Sequence, residues 1–518
     1  MNGSKLAQRT VQLGFLAILA LAWQFTTMRG GVSPLLLPPP SAVYREFVSL
    51  LTTGMFWPDL KVTLYELVVA FSIAAVAGSS IGYLVSRSRY AIRVFDPLFA
   101  GIFAIPAILL YPLYVLFFGL GPGSKIAMGA TIAFFPIVLN TISGLSRVDS
   151  VYVTAGRSMG ASSPQMFWAV MLPAAFPIIL TGLRMGLILA FLTILGAETI
   201  SSLSGLGHQI AGLAENMDTA SMFAYILFVL LIAFLLNFAV SFAESRGRRE
   251  GGMSAAISAG GESNARGISR IGSHPAVARI AVIAAILAAW EAGARLFGDP
   301  LFVSPPSRVL VAILHLARDK DVVAAVSLTC WELIVAFAIS LIIGLAVGLI
   351  VGMHRFTRGS IYPIILLLYA MPLATILPLF VIVFGIGAAS KIAFGVSHGV
   401  FPIILAVAAG VQNIKPILLT SARSMGASRR QVLFSIVFPH MIPSLFTGMR
   451  LGMSAVLLGV LLAELYVSQS GVGFLTSMFT QTFQPQNLFA LVAVLAAIAV
   501  ALNELCRSSE RRLSRWHV

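Results

Sequence analysis

The sequence predicts an all-α polytopic membrane protein built as two tandem, parallel six-helix transmembrane halves. Three observations carry that reading. Of 518 residues, 58% are hydrophobic and only 10% are charged, against roughly a quarter charged in soluble domains, and the mean hydropathy is +0.95. Apolar runs recur from near Val11 to near Val500, each close to the length of about 20 residues that crosses a bilayer. The order of landmark residues is also written twice. These features exclude a soluble catalytic domain, a disordered chain, a fibre and a disulfide scaffold.

The duplication is in register. Pro39-Pro40-Ser41 recurs as Pro305-Pro306-Ser307, Glu66 as Glu332, Pro106 as Pro372 and Asn237 as Asn503, always 266 residues apart. Ser124-Lys125 matches Ser390-Lys391, and Val69-Ala70-Phe71 matches Val335-Ala336-Phe337. The run Arg157 to Ser162 is identical to the run Arg423 to Ser428. Only ahead of the proline cluster does the register slip by one, pairing Trp23 with Trp290. Residues 1–244 and 274–518 are therefore expected to be two folding units. Residues 245–273, rich in Gly, Ser and Arg without apolar periodicity, read as a flexible cytoplasmic linker.

In the first copy the apolar runs fall near 11–27, 62–86, 94–119, 125–145, 174–201 and 221–243, which predicts six spans per half and about twelve in all. Lys5 and Arg9 ahead of Val11 to Trp23 resemble a signal peptide, but no small-residue cleavage site follows cleanly, so the run is read as a retained first span. With the N-terminus inside, Arg87, Arg89 and Arg93, then Arg147 and Arg157, then Arg246, Arg248 and Arg249 fall on the cytoplasmic side, while Asp59, Glu215 and Asp218 fall outside. The net charge of +15 is thus a matter of membrane topology, with no nucleic-acid partner implied. An even span count keeps both halves in one orientation, making this a parallel repeat. Cys330 and Cys506 sit in environments that do not meet, so no redox or thiolate metal site is expected.

One connection, Arg147 to Pro173, is too patterned to be passive. Gly160 and Gly426 stand where a helix stops, because glycine accepts the left-handed cap conformation. Ser162-Ser163-Pro164-Gln165 and Ser428-Arg429-Arg430-Gln431 both fit a capping box. A second short helix, 163–172, is expected to present Met166, Phe167, Val170 and Met171 on one face and to be closed by Pro173, with 429–438 as its counterpart. A helix, a glycine break and a short apolar helix have the shape of a docking element, or of an interfacial helix lying on lipid. Two copies of the same break favour a partner that itself comes in pairs.

These loops resemble the EAA loop of binding-protein-dependent ABC importer permeases: Glu-Ala-Ala, three residues, Gly, nine residues, Ile, one residue, Leu-Pro. This chain supplies Thr154-Ala155-Gly156, Gly160 and Val170-Met171-Leu172-Pro173, then Thr420-Ser421-Ala422, Gly426 and Ile436-Val437-Phe438-Pro439. The flanking order, with Phe118-Gly119, Phe135-Pro136, Thr181-Gly182-Leu183-Arg184 and Ala197-Glu198, is similar to the nitrate, sulfonate and taurine branch. Both halves replace the family glutamate, by Thr154 and Thr420. The resemblance implies a type I ABC importer fold with two permease domains fused in one chain, a multi-pass protein of the bacterial inner membrane with both termini cytoplasmic. It implies a small, anionic solute of the sulfonate, nitrate or taurine kind, two copies of an ABC ATPase subunit, an extracytoplasmic solute-binding protein and surrounding lipid. ATPase coupling falls to Arg157, Gly160, Ala161, Ser162, Gln165 and Pro173, and to Arg423, Gly426, Ala427, Ser428, Gln431 and Pro439.

No Gly-Lys-Ser or Gly-Lys-Thr occurs, so no Walker A loop holds nucleotide phosphates. Energy must come from separate ATPase subunits acting on ATP and Mg, or from an ion gradient. The alternative function is therefore a secondary transporter of the major facilitator type, against which the loop Arg87 to Asp96 lacks the basic signature of those proteins. No catalytic residues, metal ligands or cofactor bound by this chain are expected. Ionisable residues within spans are candidates for the pathway: Arg184 and Arg450, which either attract an anion or snorkel to the interface, and Glu198 and Glu464, placed near the outer surface as gate or anchor. Glu66 and Glu332 read as interfacial. Pro106 with Pro112, and Pro372 with Pro378, bend the third span of each half where it can line a cavity. Tyr111 and Tyr114 against Thr375 and Leu377 make that bend chemically unequal in the two halves.

Overall fold

A computed structural model describes residues 14, 18, 21–30, 33–103, 105, 107–250, 275–296, 298–369, 371–466 and 468–513, and every regular element among them is helical. The first half contains α1 (Pro40–Thr53), α2 (Trp57–Ser86), α3 (Arg89–Phe103), α4 (Tyr111–Phe118), α5 (Pro122–Ser146), α6 (Ser150–Ser158), α7 (Leu172–Ile200), α8 (Leu206–Glu215) and α9 (Thr219–Glu250). The second contains α10 (Pro275–Leu296), α11 (Pro306–Leu316), α12 (Lys320–Met353), α13 (Tyr362–Tyr369), α14 (Leu377–Phe384), α15 (Ala388–Gln412), α16 (Pro416–Ser424), α17 (Phe438–Tyr466), α18 (Val472–Gln481) and α19 (Pro485–Leu513). Helix α9 continues to Glu250, through the start of the expected linker. Residues 251–274 lie outside the described residues, as does most of the run 11–20 assigned to the first span.

Nine described helices are long and apolar enough to cross a membrane, ten if one bent pair counts as a single span. Of the spans expected, the third of each half is broken rather than bent. In the first half α3 gives way to a 3-10 turn, Ala107–Leu110, before α4 begins. In the second, Phe356–Tyr369 and Leu373–Phe384 meet at 78°. Pro112 and Pro378 each occupy the first turn of the new helix, where a missing N–H costs nothing. Pro106 lies outside the described residues.

Within each half the long helices close on glycines, as spans must when lipid gives no hydrophobic drive between them. Gly78 and Gly82 on α2 and Gly182 and Gly186 on α7 clasp α5 from two sides. A Cβ at these positions would come within 2.6–2.9 Å of Ile137, Thr141 or Asn140. The second half repeats the clasp with Gly344, Gly348, Gly448 and Gly452 around Ile403, Ala406 and Val407. The offset tryptophans reach equivalent partners, Trp23 on Phe223 at 5.8 Å and Trp290 on Phe489 at 5.3 Å.

The halves interlock through their broken third spans. Helix α4 packs on α18, α14 on α8, and the turn Leu373–Ile376 on α7. Tyr111, Ala197, Leu377 and Phe394 belong to one continuous core. Helix α10 crosses to the first half and lies on α3, where Arg279 donates from Nε and Nη2 to the Arg93 carbonyl at 3.2 and 2.7 Å.

Candidate functional site

The patterned loops form as the residues dictate. Asp149 caps α6, its Oδ1 accepting from Val151 N at 3.0 Å. The helix ends with Ala161 N donating to Gly156 O and Gly160 N to Arg157 O, both at 3.0 Å, with Gly160 at φ +76°. The second loop repeats this with Ala427, Ala422, Gly426 at φ +77° and Arg423. These are the paired reverse bonds of a left-handed helix end. Both capping boxes are present. Ser162 N donates to Gln165 Oε1 at 2.8 Å and Gln165 N to Ser162 Oγ at 3.5 Å; Ser428 and Gln431 do the same at 2.8 and 3.3 Å.

Two expectations fail here. Pro173 does not close a separate short helix: residues 163–200 run on as one helix, and 429–466 likewise. Met166–Met171 and Leu433–Val437 are wide, π-type turns, with Leu172 N bonding back to Phe167 O. Opening the turn changes the bonding register just ahead of Pro173, whose ring nitrogen has no proton to donate. The apolar face is also turned inward. Met166 is buried and lies over Gly156, where a Cβ would stand 2.7 Å from its terminal methyl, and the Phe167 ring meets Tyr83 at 4.5 Å. What the loops offer outward is a different trio, missed in the sequence: Val151, Met159 and Trp168, matched 266 residues on by Ile417, Met425 and Phe434. All six are 65–86% exposed. The repeat register itself carries the signal, since large apolar residues recur at positions a solvated loop has no reason to keep apolar. Arg157, Gly160, Ser162, Gln165 and Pro173 are exposed around the first trio, as are Arg423, Gly426, Ser428, Gln431 and Pro439 around the second, with Ala161 and Ala427 half-buried. Thr154 and Thr420 are exposed, and the Thr420 hydroxyl bonds its own helix at Pro416 O, 3.1 Å.

Among the intramembrane candidates, Tyr111 is buried and its hydroxyl donates to the carbonyls of Ala197 and Ser201. Tyr114 pairs with Thr131 Oγ1 at 2.7 Å, and Thr375, fully buried, bonds Pro372 O at 2.8 Å. Arg184 Nη2 donates to Asn237 Oδ1 at 2.8 Å, and Arg450 lies 3.9 Å from Glu510 in a small pocket shared with Asn503. Both arginines thus reach the last helix of their own half.

Glu198, Glu464, Glu66 and Glu332 are all buried within the protein, each at most 1% exposed. Glu198 accepts from Thr63 Oγ1 at 2.7 Å and Gly207 N at 2.8 Å, and Glu464 accepts from Thr329 Oγ1 and Gly473 N, both at 2.7 Å. Gly205 and Gly471, at φ +110° and +104°, leave the space these carboxyls fill; a Cβ would meet them at 2.3 and 2.1 Å. Lys125 and Lys391 are buried beside the carboxyls. Helix starts in the sequence place Glu66 near a membrane edge, but only the packing of α2, α5 and α7 brings it to a lysine 59 residues away. No cluster of three metal-ligating side chains occurs among the described residues.

Residues 74–249 and 340–516 each match the family described as binding-protein-dependent transport system inner membrane component. The chain belongs to this family. It is a permease, a multi-pass transport subunit rather than an enzyme, carrying the family domain twice. Among its relatives, the taurine transport system permease protein TauC of Escherichia coli strain K12 is 32% identical over 231 residues, which is 44% of this chain and 84% of that protein. The putative aliphatic sulfonates transport permease protein SsuC of the same organism is 33% identical over 210 residues, 40% of this chain and 80% of that protein. The formylaminopyrimidine transport permease protein ThiX of Halalkalibacterium halodurans is 30% identical over 218 residues, 42% and 86%. The double match does not favour the major facilitator alternative.

Proposed function

We propose that this permease supplies both membrane halves of an ATP-driven importer, working with two ABC ATPase subunits and an extracytoplasmic solute-binding protein, with its loops and both termini on the cytoplasmic side. The observation that carries this reading is the pair of glycine-broken, doubly capped loops, each showing one exposed apolar trio in identical register. Such a trio on a rigid helix end is a docking knob whose burial against a partner cleft drives association. Because 163–200 and 429–466 are unbroken, a push on either knob is carried along the same helix to Glu198 or Glu464. Arg157, Gly160, Ala161, Ser162, Gln165 and Pro173, with Arg423, Gly426, Ala427, Ser428, Gln431 and Pro439, shape the two knobs. Nucleotide and Mg are held by the ATPase subunits.

The solute is a small sulfonate or related oxyanion, supported by the taurine and sulfonate relatives, with selection residing in the binding protein. Tyr111, Tyr114, Pro372 and Thr375 belong to the broken spans between the halves, where the pathway runs and to which Pro106 is assigned by sequence, while Arg184 and Arg450 hold helices within each half. The test is solute uptake into vesicles carrying the whole assembly with ion gradients collapsed by ionophores. Uptake should follow ATP, and uptake that stops with the gradients and ignores ATP would refute the reading. Calorimetry on the partner binding protein should show a small sulfonate or oxyanion as ligand, and a neutral sugar or a peptide would refute the substrate class.

A further inference from the structure

The two halves hold the same buried residues in two different arrangements. In the first, Glu66 and Glu198 are both buried, and Lys125 Nζ donates to the carbonyls of Leu120 and Gly121, the latter at 3.3 Å. In the second, Lys391 Nζ is 2.7 Å from Glu332 and 3.7 Å from Glu464, and it donates to Ser470 O at 3.3 Å.

We propose that Lys125 and Lys391 are positioning residues that form the moving part of the outer gate, each carrying its ammonium between the carbonyls ahead of its own helix and the carboxyl pair. The two halves display the two positions. A long flexible stem suits such a transfer, and both ends satisfy the ammonium, which matters where an unpaired charge in the membrane is expensive. In one position the loop ending α4 is tied to the cluster; in the other that loop is released and the Ser470 loop leading into α18 is held. Because α4 packs on α18 and α14 on α8, exchange of the tie moves the contact between the halves. The proposal rests on the importer reading.

The test uses the full assembly with its ATPase subunits and binding protein, in a background with Cys330 and Cys506 replaced by alanine. A Cβ on Gly196 stands 3.2 Å from Ala374 Cβ across the halves, close to the separation a disulfide needs, so the pair Gly196→Cys and Ala374→Cys reports gate closure. Lys125→Met and Lys391→Met should each retain the ATPase subunits yet lower binding-protein-stimulated hydrolysis by about tenfold or more, the scale of a lost hydrogen bond to a charged group. With a mild oxidant added during turnover, the cross-link should form as fast in both variants as in the resting assembly, whereas with the lysines in place turnover should slow its formation, and Lys→Arg should restore part of the stimulation. Native-like turnover in either lysine variant overturns the proposal and leaves two fixed, unequal clusters. An unaltered assembly that hydrolyses ATP without uptake would defeat the importer reading instead, so the two failures are separable.

Discussion

At the scale of single residues, the loops show how little chemistry a docking knob needs. A glycine at φ near +76° stops one helix, a serine and a glutamine start the next, and three apolar side chains are left outside. A β-branched residue is strained at that backbone angle by about 1–3 kcal/mol. Gly160→Val with Gly426→Val should therefore distort both knobs while leaving the spans intact. Co-purification of the ATPase subunits is expected to fall with the double variant at unchanged helix content. The glycines and capping boxes were legible because they act through neighbours in sequence. The outward trio was not, since the amphipathic pattern of 166–171 pointed to the face that packs on Gly156 and Tyr83.

Among the elements, the glycine clasps decide how closely α5 and α15 are gripped. Gly186→Val would drive a side chain into Ile137 and the Ala133 carbonyl, 2.8 and 3.0 Å from a Cβ, a backbone contact that cannot relax. Gly212, in the middle of α8, meets nothing within 4 Å, so Gly212→Ala should be neutral or stabilise by up to about 1 kcal/mol through helix propensity. Thermal unfolding in detergent should separate them, with the melting point lowered for the first and unchanged or raised for the second. The same scale explains the three misread prolines. Pro173 sits in a continuous helix because a wide turn absorbs its missing donor, whereas Pro112 and Pro378 start new helices after a 3-10 turn has already ended the span.

The whole molecule is held by contacts that cross between the repeats: α10 on α3, α4 on α18, α14 on α8, and the shared core around Tyr111, Leu377 and Phe394. These contacts do not depend on the peptide connecting the halves. Separate expression of residues 1–258 and 259–518 should accordingly give two pieces that co-purify, with ATP-driven uptake restored in their joint presence. Recovery of either piece alone, free of the other when both are made together, would count against the interlocked assembly.

The sequence by itself determined the membrane character, the duplication at 266 residues, the glycine breaks and the capping boxes. Composition, periodicity and short-range bonding act locally and survive reading in one dimension. Only the tertiary structure decided that the third spans are broken, that the predicted apolar face is internal, and that Glu66, Lys125 and Glu198 form one buried group, as do Glu332, Lys391 and Glu464. A carboxylate in an apolar run reads as an edge residue until a cation from another helix is packed against it. Placing that cation depends on the glycine-lined approach of three helices distant in the chain.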